Sequence, residues 1–326
     1  MAGAVADRVW RDSAPDAIEH DLAVLWRELG QGEIKIARAV MSNLIVVRAP
    51  AKDRRALTDI VSGLPLEQVT ARHPSRTIVL EHCHRNTSDQ PFAAGVGIVT
   101  YGPPAARYGV EQIVVRSVCP EAPLLSMLRR LVRGDVPTSV WWTEDLSDGA
   151  PFDPLLTVGR QLIYDSQQWK DLRRGLTAIL PLVDNHRIDL ADLNWRRLAP
   201  LRRALVHARG PLKGEAWRNV MIEITHAPGE AAIAALLAGW LRSERPGQTP
   251  GIAAAPRVSE RDALITVTIA DMSAILTTRA AEVSIPSEPP LVVAAARESH
   301  AEAIAAELRS LSPDATLLGA LRALRD

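Results

Sequence analysis

Residues 120–165 read PEAPLLSMLRRLVRGDVPTSVWWTEDLSDGAPFDPLLTVGRQLIYD, and their alternation decides the fold. An amphipathic segment at 120–132 predicts a helix, and PTSVWWT at 137–143 predicts a strand. A short helix near 152–158 then leads to a second apolar strand, RQLIYD, at 160–165, and a longer helix follows over roughly 168–182. Strands alternating with helices predict a mixed, mostly parallel sheet with helices on both faces, an α/β fold.

Toward the N-terminus the same pattern continues. Ser13 and Asp16 form an S-x-x-D capping pattern with Pro15 in the first turn, and Ile18, Leu22, Leu25 and Leu29 recur at helical spacing up to Gly30. Residues 34–48 end in an unbroken apolar run, Leu44–Val47, as expected of a strand covered on both faces. A charged helix is expected over 51–62. The β-branched stretches 76–83, 93–100 and 111–118 have short, turn-rich connections that suit antiparallel neighbours. A helix at about 195–208 closes this part of the chain.

The segment RGPLKGEA at 209–216 clusters Gly, Pro and charge without apolar periodicity. It divides the chain into an N-terminal α/β domain, 1–209, and a smaller α+β C-terminal domain, 210–326. The second part opens with a strand at 217–225. Its helix at 229–243 carries Ile233, Leu236, Leu237, Trp240 and Leu241 on one stripe. Strands follow near 262–270, 275–284 and 290–296, then a helical segment broken at Pro313.

At 326 residues, with 47% hydrophobic residues, the chain can bury cores for two domains. Lys and Arg number 38 and balance 38 Asp and Glu, which removes any global electrostatic reason for nucleic acid or an anionic membrane as partner. The first twenty residues carry Asp7, Arg8, Arg11, Asp12, Asp16 and Glu19 and no signal-like apolar run, so a soluble cytoplasmic protein is expected. Two cysteines, Cys83 and Cys119, make no disulfide framework.

No P-loop, dinucleotide fingerprint, nucleophile elbow or zinc helix occurs; Gly95-Val96-Gly97 lies within a strand and lacks the third glycine. No cofactor, metal or catalytic residue is therefore assigned. His82-Cys83-His84 would point its histidines and its cysteine to opposite faces of a strand, which disfavours a shared ion.

Binding candidates come from arginine and tryptophan. His73-Pro74-Ser75-Arg76 offers a hydroxyl and a guanidinium to a phosphate, and local ion pairing explains it equally well. Trp141 and Trp142 are adjacent in a strand, so their rings face opposite sides; Trp142 belongs either to the core or to a partner surface. Trp195, Arg196 and Arg197, with Arg202 and Arg203, place several guanidiniums on one helix, either as a solvated face or for an acidic or phosphate-bearing partner.

These segments, in order, resemble the OpcA family. The resemblance rests on Ile18-Glu19 with Leu25-Trp26, Ala37-Arg38-Ala39 before Asn43-Leu44, and His73-Pro74-Ser75-Arg76. It continues through Asp135-Val136-Pro137 into Val140-Trp141-Trp142, Asp192-Leu193-Asn194-Trp195 before Arg197-Leu198, and Leu236-Leu237 with Trp240-Leu241. Val136 stands where Leu is expected, and Leu201 where an aromatic is expected. The resemblance implies a non-catalytic protein that binds glucose-6-phosphate dehydrogenase, promoting its active oligomer or shifting its substrate affinity. It does not carry thiol control onto Cys83 or Cys119. The alternative from the residues alone is a sugar-phosphate-binding enzyme or sensor with a crevice at the carboxyl ends of the parallel strands.

Overall fold

The protein was described from a computed structural model covering residues 5–51, 56–82, 92–117, 121–149, 151, 153–185, 187–208, 220–244, 257–258, 263–295 and 298–325. Along the first half run β1 (Val5–Ser13), α1 (Ile18–Gly30), β2 (Ala37–Arg38), β3 (Ser42–Arg48), α2 (Leu66–Arg72), β4 (Ser75–His82), β5 (Phe92–Tyr101) and β6 (Tyr108–Ser117). Then come α3 (Glu121–Leu131), β7 (Thr138–Trp142), α4 (Asp153–Leu156), β8 (Gln161–Tyr164), α5 (Leu172–Ile179), β9 (Asp189–Asp192), α6 (Leu193–Arg197) and α7 (Ala199–Ala208). The second half holds β10 (Ile222–His226), α8 (Ala231–Ser243), β11 (Arg257–Val258), β12 (Ile265–Ile269), β13 (Met272–Leu276), β14 (Ala280–Ser284), β15 (Leu291–Ala294), α9 (His300–Arg309) and α10 (Ala315–Arg322).

Among the described residues the first sheet has the order β1-β5-β6-β4-β3-β7-β8-β9, with β2 beside β6. From β6 to β9 every pairing is parallel; β5 lies antiparallel to β6 and β1 antiparallel to β5. Side-chain alternation sends Ile45, Ile78, Ile113, Val140 and Leu162 to one face, where α1, α3 and α5 cover them. Leu44, Val46, Val79, Val114, Trp141 and Ile163 fill the other, under α2 and α9. The expected α/β sheet with helices on both faces is present.

The second sheet, β11-β10-β12-β13-β14-β15, is antiparallel except where β10 meets β11. Period-two residues Ile222, Ile224, Ile265, Val267 and Ile269 turn inward into the core that α7 and α8 share. The last helices separate: α10 packs on α8, whereas α9 returns to the first sheet through Ala301, Ile304 and Leu308. The expected boundary at 209–216 lies outside the described residues, as do Cys83, His84 and Cys119.

Several sequence expectations need correction. The first strand, β1, was absent from them because Val5–Ser13 carries four charged residues, Asp7, Arg8, Arg11 and Asp12, on a sheet edge, where only one flank is paired. Its Trp10 ring lies across Gly95 and Gly97; a Cβ on Gly97 would come within 2.8 Å of the indole. Helix α1 starts at Ile18 with Ala17 as an N-cap that makes no side-chain bond, and Ser13 instead donates to Asp21 at 2.6 Å. Stretch 76–83 does not form a hairpin with 93–100: β4 sits between β6 and β3, parallel to both. In place of a helix at 51–62, the described part holds one 3₁₀ turn, Leu57–Val61. The expected strand 275–284 is two strands, because the chain reverses at 277–279. Helix 195–208 is also two, the second starting again ahead of Pro200.

Candidate functional site

Edge strand β9 ends at Asp192, and that carboxylate builds the local turn. Its Oδ1 accepts the backbone N–H of Ser166 at 3.1 Å and of Asn194 at 2.9 Å, so it caps α6 while holding the loop after β8. Asn194 Nδ2 donates to Ser166 Oγ at 3.0 Å and closes the link. The result carries Trp195, Arg196 and Arg197 out from the carboxyl end of the strand.

Each of these three then reaches into the second half of the chain. Trp195 Nε1 donates to Asp314 Oδ2 at 2.8 Å. Arg196 forks onto Glu298 with two bonds of 2.8 Å and gives a third, also 2.8 Å, to Glu307. Arg197 is bidentate on Glu230 at 2.9 and 2.8 Å and also reaches Asn194. Forked Arg–carboxylate pairs fix orientation as well as charge, so this short helix pins α8 and α9 to the end of the first sheet.

A cleft of about 760 Å³ opens beside them, bounded by β9, α6, the start of α7, the 277–278 turn and segment 294–314. Arg202 lies in it with its guanidinium carbon 3.7 Å above the Trp195 ring, a close cation–π stack. Its Nε is buried without an acceptor. Desolvation pushes the Arg202 pKa down, against the pull of Asp314 and with the repulsion of Arg203. Arg203 is exposed at the rim. Burial likewise raises the acids behind the cleft: Asp192 is pushed up to about 7, with Asp165 adding repulsion, and Asp165 and Glu307 are raised as well.

Of the seven sequence candidates, Trp195, Arg196, Arg202 and Arg203 are brought together here. The other three stand elsewhere. Ser75 is fully buried, hydrogen-bonded to Ser42 and to the His73 carbonyl. Arg76 is 1% exposed and pairs with Glu111 at 2.6 Å and with Glu19. Glu111 also takes the Trp26 N–H at 2.8 Å and the Arg38 guanidinium. Trp142 packs in the core on one face of the first sheet while Trp141 packs on the other. None of the three is presented to solvent, because the strands that carry them are central.

Sequence reasoning missed the acids of the cleft. Two had a usable signal: Asp192 and Asp314 each precede a helix with the side-chain pattern of an N-cap. Glu298 and Glu307 had none, since their meaning depends on Arg196 about a hundred residues earlier.

Two family models match the chain in order. One, described as the glucose-6-phosphate dehydrogenase subunit N-terminal domain, matches residues 66–180. The other, its C-terminal domain, matches residues 188–321. A Nostoc punctiforme protein described as an OxPP cycle protein, OpcA, is 33% identical over 121 residues, 36% of this chain. That match spans 26% of the relative's own length. Among solved structures, UDP-N-acetylglucosamine 3-dehydrogenase GnnA from Acidithiobacillus ferrooxidans aligns over 88% of this chain and 96% of its own, with 11% identity and a TM-score of 0.41. An oxidoreductase from Sinorhizobium meliloti aligns over 89% and 88%, with 13% identity and a TM-score of 0.39. Neither structural likeness bears on chemistry.

Proposed function

Because the chain belongs to the OpcA family of glucose-6-phosphate dehydrogenase subunits, we propose that it is a non-catalytic cytoplasmic protein that assembles or allosterically activates that dehydrogenase. The reading rests on the two subunit-domain matches, which follow one another along residues 66–180 and 188–321. An effector acts through different affinities for two states of its partner and needs no reacting group of its own. The site chemistry is compatible with that role: Arg196, Arg197, Glu298, Glu307 and Glu230 are closed into mutual ion pairs that hold helices together. Among the described residues no helix is long and apolar enough to cross a membrane.

The test is to mix the purified chain with the dehydrogenase of the same organism, follow complex formation by size-exclusion chromatography with light scattering, and compare the dehydrogenase kinetics with and without it. A stable complex with a shifted oligomer distribution or a changed KM is expected. Absence of both association and kinetic change would reject the reading.

A second reading, a sugar-phosphate-binding enzyme or sensor, draws on the cleft that holds Arg202 and Arg203. Turnover of a sugar phosphate by the chain alone would favour the enzyme form of it; binding without turnover is compatible with an effector.

A further inference from the structure

Four arginines line the cleft beside β9, and they divide into two kinds. Arg196 and Arg197 are saturated by carboxylates. Arg202 and Arg203 have no hydrogen-bond acceptor or ion-pair partner among the described residues. Arg202 is also held in place: its plane is fixed on Trp195, whose own N–H is tied to Asp314. Its Nε is out of water and unbonded. A stacked guanidinium loses little freedom on binding, and its planar fork matches the oxygens of a phosphate.

Of the acids that line the cleft, two are ion-paired. Glu298 and Glu307 are held by Arg196. Asp314 accepts the Trp195 N–H and the first backbone N–H groups of α10. Asp165 accepts the Gln167 N–H, and burial raises its pKa. Asp189 alone has no side-chain partner among the described residues. Asp165, Asp189 and Asp314 carry no paired cation among the described residues, so the fit to an anion rests on the stacked, acceptor-free geometry of Arg202 beside Arg203 and not on net charge. Thr278, Ser310 and Ser312 add hydroxyl groups to the lining, and a volume of about 760 Å³ is the size of a small-metabolite site.

We propose that this cleft binds a small phosphate monoester, with the phosphate against Arg202 and Arg203 and the polyol portion among the hydroxyl side chains. The inference stands on the cleft alone and does not depend on the dehydrogenase reading. At neutral pH such a phosphate carries close to two negative charges, which suits two guanidiniums.

The test uses the full chain without any partner protein. Calorimetric titration with glycerol 3-phosphate and with inorganic phosphate should show saturable binding, and glycerol and malonate should not bind under the same ionic strength. Melting temperature should rise with glycerol 3-phosphate concentration, as for any ligand that binds only the folded state. Arg203→Gln, at an exposed position, should weaken binding about tenfold or more while leaving the melting temperature without ligand unchanged. Arg202→Lys keeps the charge but loses the stacked plane and should also weaken it; Asp189→Asn should tighten it. No binding of either phosphate compound at millimolar concentration, equal binding of malonate, or unchanged affinity in Arg203→Gln would each overturn the proposal. Since no dehydrogenase is present, failure here leaves the kinetic test above unaffected.

Discussion

Arg76 Nη1 donates to Glu111 Oε2 at 2.6 Å, with both side chains almost closed to water at 1% and 4% exposure. Removing either partner breaks this buried bond, but Glu111 keeps Arg38 and the Trp26 N–H and Arg76 keeps Glu19, so the loss should fall below the roughly 3–5 kcal/mol of a fully stranded charge. Glu111→Gln and Arg76→Met should each lower the urea midpoint accordingly. Replacing both by apolar residues should cost clearly less than the sum of the single changes, because no uncompensated charge remains. Additive losses in a double-mutant cycle would contradict the pairing.

Trp10 predicts a second coupled pair. Gly95→Ala places a methyl group inside its ring, and overpacking of this kind costs about 1–3 kcal/mol. Combining Gly95→Ala with Trp10→Ala should recover part of that loss, since the methyl then has room. The measurement is urea unfolding of the two single variants and the double; a double variant as unstable as the sum would place the strain elsewhere.

The same two features show what the sequence made legible. Leu44–Val47 and the Trp141-Trp142 pair were readable because central parallel strands need apolar residues on both faces. Strands β1 and β9 were not, because edge strands tolerate Asp and Arg along one flank. Arg76 was readable either as a phosphate holder or as a locally ion-paired cation, but its actual partners, 35 and 57 residues away, were not. Arg196 faced the same difficulty, with Glu298 and Glu307 at separations of 102 and 111 residues. Pattern reading finds an element's period and its caps; it does not find which two distant charges will meet. The arginines of the cleft were therefore visible in the sequence, while the division between saturated and free ones was not.

Helix α9 begins with a capping box, Ser299 and Glu302 bonding each other's backbone. Ser299→Ala should destabilise the protein by about 1 kcal/mol, the usual worth of such a cap. Glu302 is held at a pKa of about 2 by the backbone N–H of Ser299 first, then its hydroxyl and Arg72. A depressed carboxylate contributes stability that is present above its unfolded pKa and is lost as pH falls. The penalty of Ser299→Ala should accordingly be larger at pH 6 than at pH 3 in thermal melts.

Asp192 predicts the opposite slope. Burial holds its pKa near 7 in the folded protein against an ordinary 3.8, with Asp165 adding repulsion. Between pH 4 and 7 the folded state therefore binds the extra proton, and stability falls as pH rises through that window, by at most about 1.4 kcal/mol per pH unit. Asp165, itself raised by burial and by Glu230 against the pull of His300 and Arg197, contributes in the same direction. Asp192→Asn keeps an oxygen for the Ser166 and Asn194 N–H groups and removes the titration. Relative to the unmodified protein, that variant should gain stability at pH 8 compared with pH 5. A difference that stays constant from pH 5 to pH 8 would show that Asp192 ionises in the fold as it does in water.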